Sequence, residues 1–163
     1  MLTISQLKTL YCSLVRPRVE YASQVWNAFT KSNISRVESI QRRATKSILK
    51  SDDEYLVRLR KLRWLSLEDR RLMADVVFFY KLVNNHVCLT LYSRVRFSRD
   101  VDREYALRSM DTSNLLTSLS RTNLFKFSFM QRIVREWNSL PLDIREASFV
   151  EEFKLKVSKF LTF

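Results

Sequence analysis

The spacing of apolar residues along this chain predicts helices almost from end to end. Leu7, Leu10, Tyr11, Leu14 and Val15 follow the i, i+3, i+4, i+7, i+8 pattern of one buried face, which predicts a helix over 4–16. Pro17 is expected to end that helix and to open a second, reaching about Trp26 and burying Val19, Ala22, Val25 and Trp26. A turn over 27–32 follows, and Ser32 or Asn33 suits the N-cap of a third helix over 34–49. At about 100° per residue, Ile34, Val37, Ile40, Ala44 and Ile48 fall within one arc of roughly 120°. Arg36, Arg42, Arg43, Lys46 and Lys50 fall in an arc of similar width on the opposite side.

Residues 52–62 read as a short helix opened by Asp52, Asp53 and Glu54, since acidic groups favour a helix N-terminus. Ser66 is a good N-cap for a helix over 67–84, with Glu68 and Asp69 in its first turn and Leu72, Val76, Phe79 and Val83 on its apolar face. Asn84-Asn85 is the expected stop, because asparagine tolerates the left-handed conformation. The pattern then weakens over 86–123. VCLTLYSRVRF has the β-branched and aromatic content of a strand or two, and the polar remainder reads as loop with Leu115, Leu116 and Leu119 touching the core. LFKFSF (124–129) fits a short strand or the entry to a helix carrying Met130, Ile133, Val134 and Trp137 and stopped by Pro141. A last helix starts at Ser148, with Glu151 as its capping-box partner and Phe149, Phe153, Val157 and Phe160 inward. The expected fold is mainly α: a helical bundle with a loop-rich or short-strand insertion around 86–129, divided into 1–85 and 86–163.

Composition sharpens this picture in two ways. Glycine is absent from all 163 residues, whereas an average usage of about 7% would leave none with a probability on the order of 10⁻⁵. Positive φ at helix ends must therefore be supplied by asparagine or at the cost of strain. The net charge is +12 with a pI near 10.1, which favours an anionic partner, most commonly nucleic acid. Residues 1–50 hold nine Lys/Arg against two Asp/Glu, so the opening third carries more than half of the excess. The basic arc on the third helix could follow a phosphate backbone, each cation releasing counterions as it meets a phosphate. Arg16 and Arg18, on either side of Pro17, are candidate helpers.

Two cysteines, Cys12 and Cys88, make no disulfide framework and suit a reducing nuclear or cytoplasmic setting. No run of about 18 apolar residues suggests a membrane span, and no secretory signal is expected at the N-terminus.

The phrases LYCSLVRPRVEYASQVW, VESIQRRATKSI, LSLEDRRLMADVVFFYKLVN, VREWNSLP and SFVEEFKLKV occur in that order. Together they resemble the C-terminal part of the reverse transcriptase of non-LTR (LINE-type, jockey-like) retrotransposons, the helical thumb and the region after it. The likeness runs from about Leu7 to Phe160 and is weakest over 86–123. It implies that 1–85 is a thumb-like bundle and 86–163 a C-terminal region. It also implies an inherited role in gripping RNA or DNA template–primer through phosphates, and a missing palm domain or self-association as further partners. The family often has glycine where this chain has Arg63, and again after the Asn of YKLVN, where Asn85 stands. Two helix ends thus lose the residue that suits them best.

The catalytic chemistry of that family lies elsewhere. Its aspartate pair sits in the palm, in an aromatic-Ala-Asp-Asp turn, and the nearest wording here is Ser51-Asp52-Asp53, which reads as a helix start. The chain is therefore not expected to polymerise DNA alone, and the fragment has no expected catalytic residue. No metal or cofactor is expected either: His86 and Cys88 form an isolated pair, and a phosphate-cradling loop needs glycine. Tyr21, Trp26, Trp64 and Trp137 could stack on bases, although Trp26 and Trp137 fit apolar helical faces better. The alternative to a nucleic-acid grip is a small helical protein–protein module, or a nonfunctional transposon relic.

Overall fold

The computed structural model of the chain describes residues 2–27, 30–87, 96–98, 113–116 and 118–161. The fold is mainly helical. A first run comprises α1 (Ile4–Leu10), a π-helical turn (Tyr11–Val15) and α2 (Arg16–Glu20), and is followed by α3 (Ser23–Trp26), α4 (Lys31–Leu49), α5 (Tyr55–Leu62) and α6 (Leu67–Val83). Then come α7 (Asn123–Lys126), α8 (Phe129–Ser139), α9 (Leu142–Arg145) and α10 (Val150–Leu161). The chain forms two compact units, Met1–Leu72 and Met73–Leu161, and the boundary falls inside α6.

In the first unit the helical run passes through Pro17, where a stop was expected. The π turn explains it. Arg16 donates its N–H to the Tyr11 carbonyl, five residues back, and this wider turn relieves the contact between a proline ring and the preceding turn. The break comes later, at Tyr21 and Ala22, where Ala22 is left-handed with φ 51°. The apolar face of this run is buried less than its spacing suggests. Tyr11 is buried and Leu7 half-buried, but Leu10, Leu14 and Val15 are exposed. Val25 is 87% exposed and Trp26 40%, because the break at Ala22 rotates α3 off the phase set by α1 and α2. Tyr11 instead forms a small cluster with Ile48 and Leu62, against which Leu7, Cys12, Ala44, Leu49 and Trp64 pack.

The second unit closes around rings. Phe79 meets Trp137 edge-on at 4.9 Å between centroids, and Tyr80 stacks on Phe153 at 4.3 Å. Val76, Ile133 and Val157, on α6, α8 and α10, are fully buried. A buried ion pair sits among them: Arg132 donates through Nε (3.0 Å) and Nη2 (2.8 Å) to Asp75 Oδ2, and through Nη1 to the Phe127 carbonyl. Residues 124–129 are helix entry, with α7 running into α8. Phe97 and Leu115 form an isolated antiparallel bridge. Asn138 extends it, accepting from the Leu115 N–H (2.8 Å) and donating to its carbonyl (2.9 Å) as a strand neighbour would. Leu115 is buried as expected, whereas Leu119 is 98% exposed. The strands expected in VCLTLYSRVRF lie largely outside the described residues. In the last helix Phe153 and Val157 are buried, but Phe149 precedes the first helical residue and Phe160 sits in the last turn, and both are exposed. The Ser148 N–H pairs with the carboxylate of Glu152 rather than Glu151.

Both glycine-less helix ends form. At α5, Trp64 N–H donates to the Leu59 carbonyl and Arg63 N–H to that of Arg60, with Arg63 at φ 55°. At α6, His86 N–H donates to Lys81 and Asn85 N–H to Leu82, with Asn85 at φ 56°. These are the paired bonds of a Schellman cap around a left-handed residue. The start of α6 is also as expected: Ser66 Oγ accepts from the Asp69 N–H at 3.0 Å.

Candidate nucleic-acid interface

The helix that carries the basic arc, α4, begins earlier than its sequence suggests. Thr30 rather than Ser32 or Asn33 is the N-cap, its side chain accepting from the Asn33 N–H. Its inward face is also turned. Glu38, Gln41, Thr45 and Ile48 are buried, while Ile34, Val37, Ile40 and Ala44 are half-buried. The buried side is thus rotated by roughly 60° from the apolar row and is mostly polar.

Hydrogen bonds account for that rotation. Gln41 accepts from Tyr11 Oη (3.0 Å) and donates to Tyr55 Oη (3.2 Å) and to the Leu65 carbonyl (2.9 Å). Glu38 Oε1 accepts from Tyr55 Oη and from the Leu67 N–H, the first amide of α6. A carboxylate there satisfies an orphan donor and suits the positive end of the helix dipole. Arg58 of α5 is buried and donates to Thr45 Oγ1 (3.2 Å) and to the Asp53 carbonyl. Burial pushes the Tyr11 hydroxyl up to about 12. It raises Tyr55 further, with help from the hydrogen bond to Glu38, so both tyrosines remain protonated donors at neutral pH.

With one side pinned, the opposite side is presented to solvent. Arg36, Arg42, Arg43, Lys46 and Lys50 are all exposed. Arg42 lies 5.2 Å over the Tyr55 ring, a contact that limits its rotamers. Lys46 pairs with Asp52. Arg16 and Arg18 belong to α2 rather than to α4. Arg16 is half-buried, its guanidinium 4.6 Å over the Trp64 ring and 5.5 Å over that of Tyr11. Arg18 is exposed on α2.

The other candidates fall as follows. Asp52 and Asp53 precede α5 in a non-helical stretch and make ion pairs with Lys46 and Lys61. These partners hold both carboxyls below the usual range, by the lysine hydrogen bond first. The helix therefore starts at Tyr55, later than expected. Trp137 is core, Trp64 stacks on Tyr11 at 5.1 Å, and Trp26 and Tyr21 are exposed. Among the described residues no group of His, Cys, Asp or Glu could hold a metal ion, and Cys88 lies outside them. No helix among the described residues is long and apolar enough to cross a membrane. Sequence reasoning missed the polar network and Lys61. The row Glu38, Gln41, Thr45 does have helical spacing, but apolar periodicity cannot register a polar face. The chain matches no protein-family model, no curated protein and no solved structure.

Proposed function

We propose that the outer side of α4 binds the phosphate backbone of nucleic acid. The chain is then a palm-less counterpart of the thumb and C-terminal region of a LINE-type reverse transcriptase, gripping template–primer without catalysing its extension. The observation that carries the proposal is the arrangement of Arg36, Arg42, Arg43 and Lys46, exposed together on a helix whose far side is fixed by Glu38, Gln41 and Thr45, with Lys50 exposed just past its end at the left-handed C-cap. A fixed cationic row suits a repeating anion, and contacts of this kind position a duplex without reading its sequence. The lineage draws support from Arg63 and Asn85. Where the resembling family often has glycine, this chain has left-handed residues in Schellman caps.

The test is affinity for an RNA–DNA duplex as a function of salt. Affinity should fall steeply with ionic strength. Arg42→Ala/Arg43→Ala/Lys46→Ala should flatten the log–log slope, by about 0.9 for each phosphate no longer neutralised on a B-form control duplex. Binding that ignores salt, or that the triple substitution leaves unchanged, would sink the proposal. A second reading, a protein–protein module, is supported by the exposed Leu10, Leu14, Val15, Tyr21, Val25 and Trp26. Concentration-dependent sedimentation that Leu14→Ser/Val25→Ser abolishes would favour it.

A further inference from the structure

Lys46 in α4 and Lys61 in α5 lie on different helices, yet they pair with adjacent residues, Asp52 and Asp53, in the short connection between those helices. The two cations are thereby held at adjacent residues of one short connection. The sequence pattern alone makes α4 the binding face. The geometry points to a phosphate-binding surface built from α4 and α5 together, in which Lys61 stands beside Lys46 and the Asp52 and Asp53 carboxylates occupy the lysines until backbone phosphates displace them. This rests on the proposed binding of nucleic acid by α4.

The exchange is chemically balanced, since one oxyanion replaces another at each ammonium group. It is also inexpensive. The Lys46–Asp52 side chains are 61% and 86% exposed, and those of Lys61–Asp53 are 53% and 36% exposed, and ion pairs so open to water contribute little to stability. The two latches differ. Asp53 is also tied to Ser51, whose Oγ donates to its carboxylate at 2.5 Å and accepts from its N–H at 3.1 Å. Asp52, bound through its side chain to Lys46 alone among the described residues, is the readier to leave. Glu54, next in sequence and exposed, pairs with no lysine among the described residues and supplies an internal control.

The experiment measures affinity of the full chain for a B-form DNA duplex across a salt series. Asp52→Asn and Asp53→Asn should each tighten binding, about twofold to fivefold for release of one exposed pair. The gain from Asp53→Asn should vanish in a Lys61→Ala background, and that from Asp52→Asn in Lys46→Ala. Lys61→Ala alone should flatten the salt slope by about 0.9. Glu54→Gln should give a smaller gain that persists in both backgrounds. Equal gains from all three acid substitutions, persisting without the lysines, would reduce the effect to net charge and overturn the latch. An unchanged slope in Lys61→Ala would remove α5 from the surface. Either result leaves the α4 proposal standing if the Arg42, Arg43 and Lys46 triple variant still weakens binding. A wild-type chain that binds no duplex overturns both.

Discussion

The two units close their interiors by different means. In Met73–Leu161 the most buried side chains are Val76, Phe79, Tyr80, Ile133, Phe153 and Val157, and one ion pair, Asp75–Arg132, sits among them. In Met1–Leu72 the buried set includes Ser23, Glu38, Gln41, Thr45, Arg58 and Arg71, beside a few apolar residues such as Tyr11, Ile48 and Leu62. Area removed from water holds the second unit together, and it does not depend on direction. Hydrogen bonds hold much of the first, and they do. A helix packed on an apolar face alone can turn slightly at little cost. One whose Gln41 must meet Tyr11, Tyr55 and Leu65 at once has a single acceptable rotation. The polar interior thus determines which residues of α4 reach solvent.

The comparison can be broken most directly by truncation in each core. Phe153→Ala removes a fully buried ring that stacks on Tyr80 and Trp137, and should cost about 3–5 kcal/mol in urea unfolding. Gln41→Ala removes less apolar area but strands the Leu65 carbonyl and the Tyr11 hydroxyl, for a loss of about 2 kcal/mol. Duplex affinity is the sharper readout for the second variant, because α4 is then free to turn and its cations lose their common aim. If Gln41→Ala weakened binding no more than an equally destabilising substitution remote from α4, the polar face would not be what sets the stripe.

An alkaline titration separates the units more finely. The Tyr11 hydroxyl is pushed from 10.0 to about 12 by burial, so its contribution is complete below pH 10 and is lost as pH rises through about 12. Tyr55 is raised as well, by burial and by Glu38. The urea midpoint should therefore fall from about pH 10 upward, and Tyr11→Phe should make the decline between pH 10 and 12 shallower. Tyr80, in the second unit, is also raised, by burial first and then by the charge of Glu152, but its hydroxyl donates to the Ala147 carbonyl and not to a carboxylate. Tyr80→Phe should change the alkaline arm less than Tyr55→Phe. Equal changes would mean that the Glu38 contact adds nothing to the burial of the hydroxyl.

The same contrast governs what the sequence made legible. The inward row of α6, the Ser66 cap, the Asn85 stop, and Ile133, Val134 and Trp137 of α8 all follow from helical spacing and cap chemistry, because apolar burial leaves a periodic trace. The cationic row of α4 was equally visible as an arc of charge. The buried face of α4 was not, since Glu38, Gln41 and Thr45 look like solvent-facing residues until their partners, 14 to 30 positions away for Gln41, are in place. Pro17 misled for a related reason. Its local rule assumes an α-helical turn before it, and the π turn at Tyr11–Val15 changes that premise. Lys61 was hidden because its pairing with Asp53 crosses the helix start, which no periodicity encodes.

The smallest expected effect is also the most exact probe of the two halves, because the cap geometry is the same in each. Arg63 ends α5 in the first unit and Asn85 ends α6 in the second, both left-handed and both in Schellman caps. For a residue with a Cβ this conformation costs about 1–2 kcal/mol, and glycine avoids that cost while losing more freedom on folding. The balance predicts that Arg63→Gly raises stability by about 0.5–1 kcal/mol. Asparagine already relieves part of the conflict through its short polar side chain, so Asn85→Gly should gain only a few tenths of a kcal/mol. Thermal unfolding of the two variants and the double substitution would show the difference, and the gains should add because the caps share no partner. A loss of stability at Arg63→Gly would mean that the arginine side chain contributes more through its contacts than its backbone costs. Arginine would then suit that cap better than glycine.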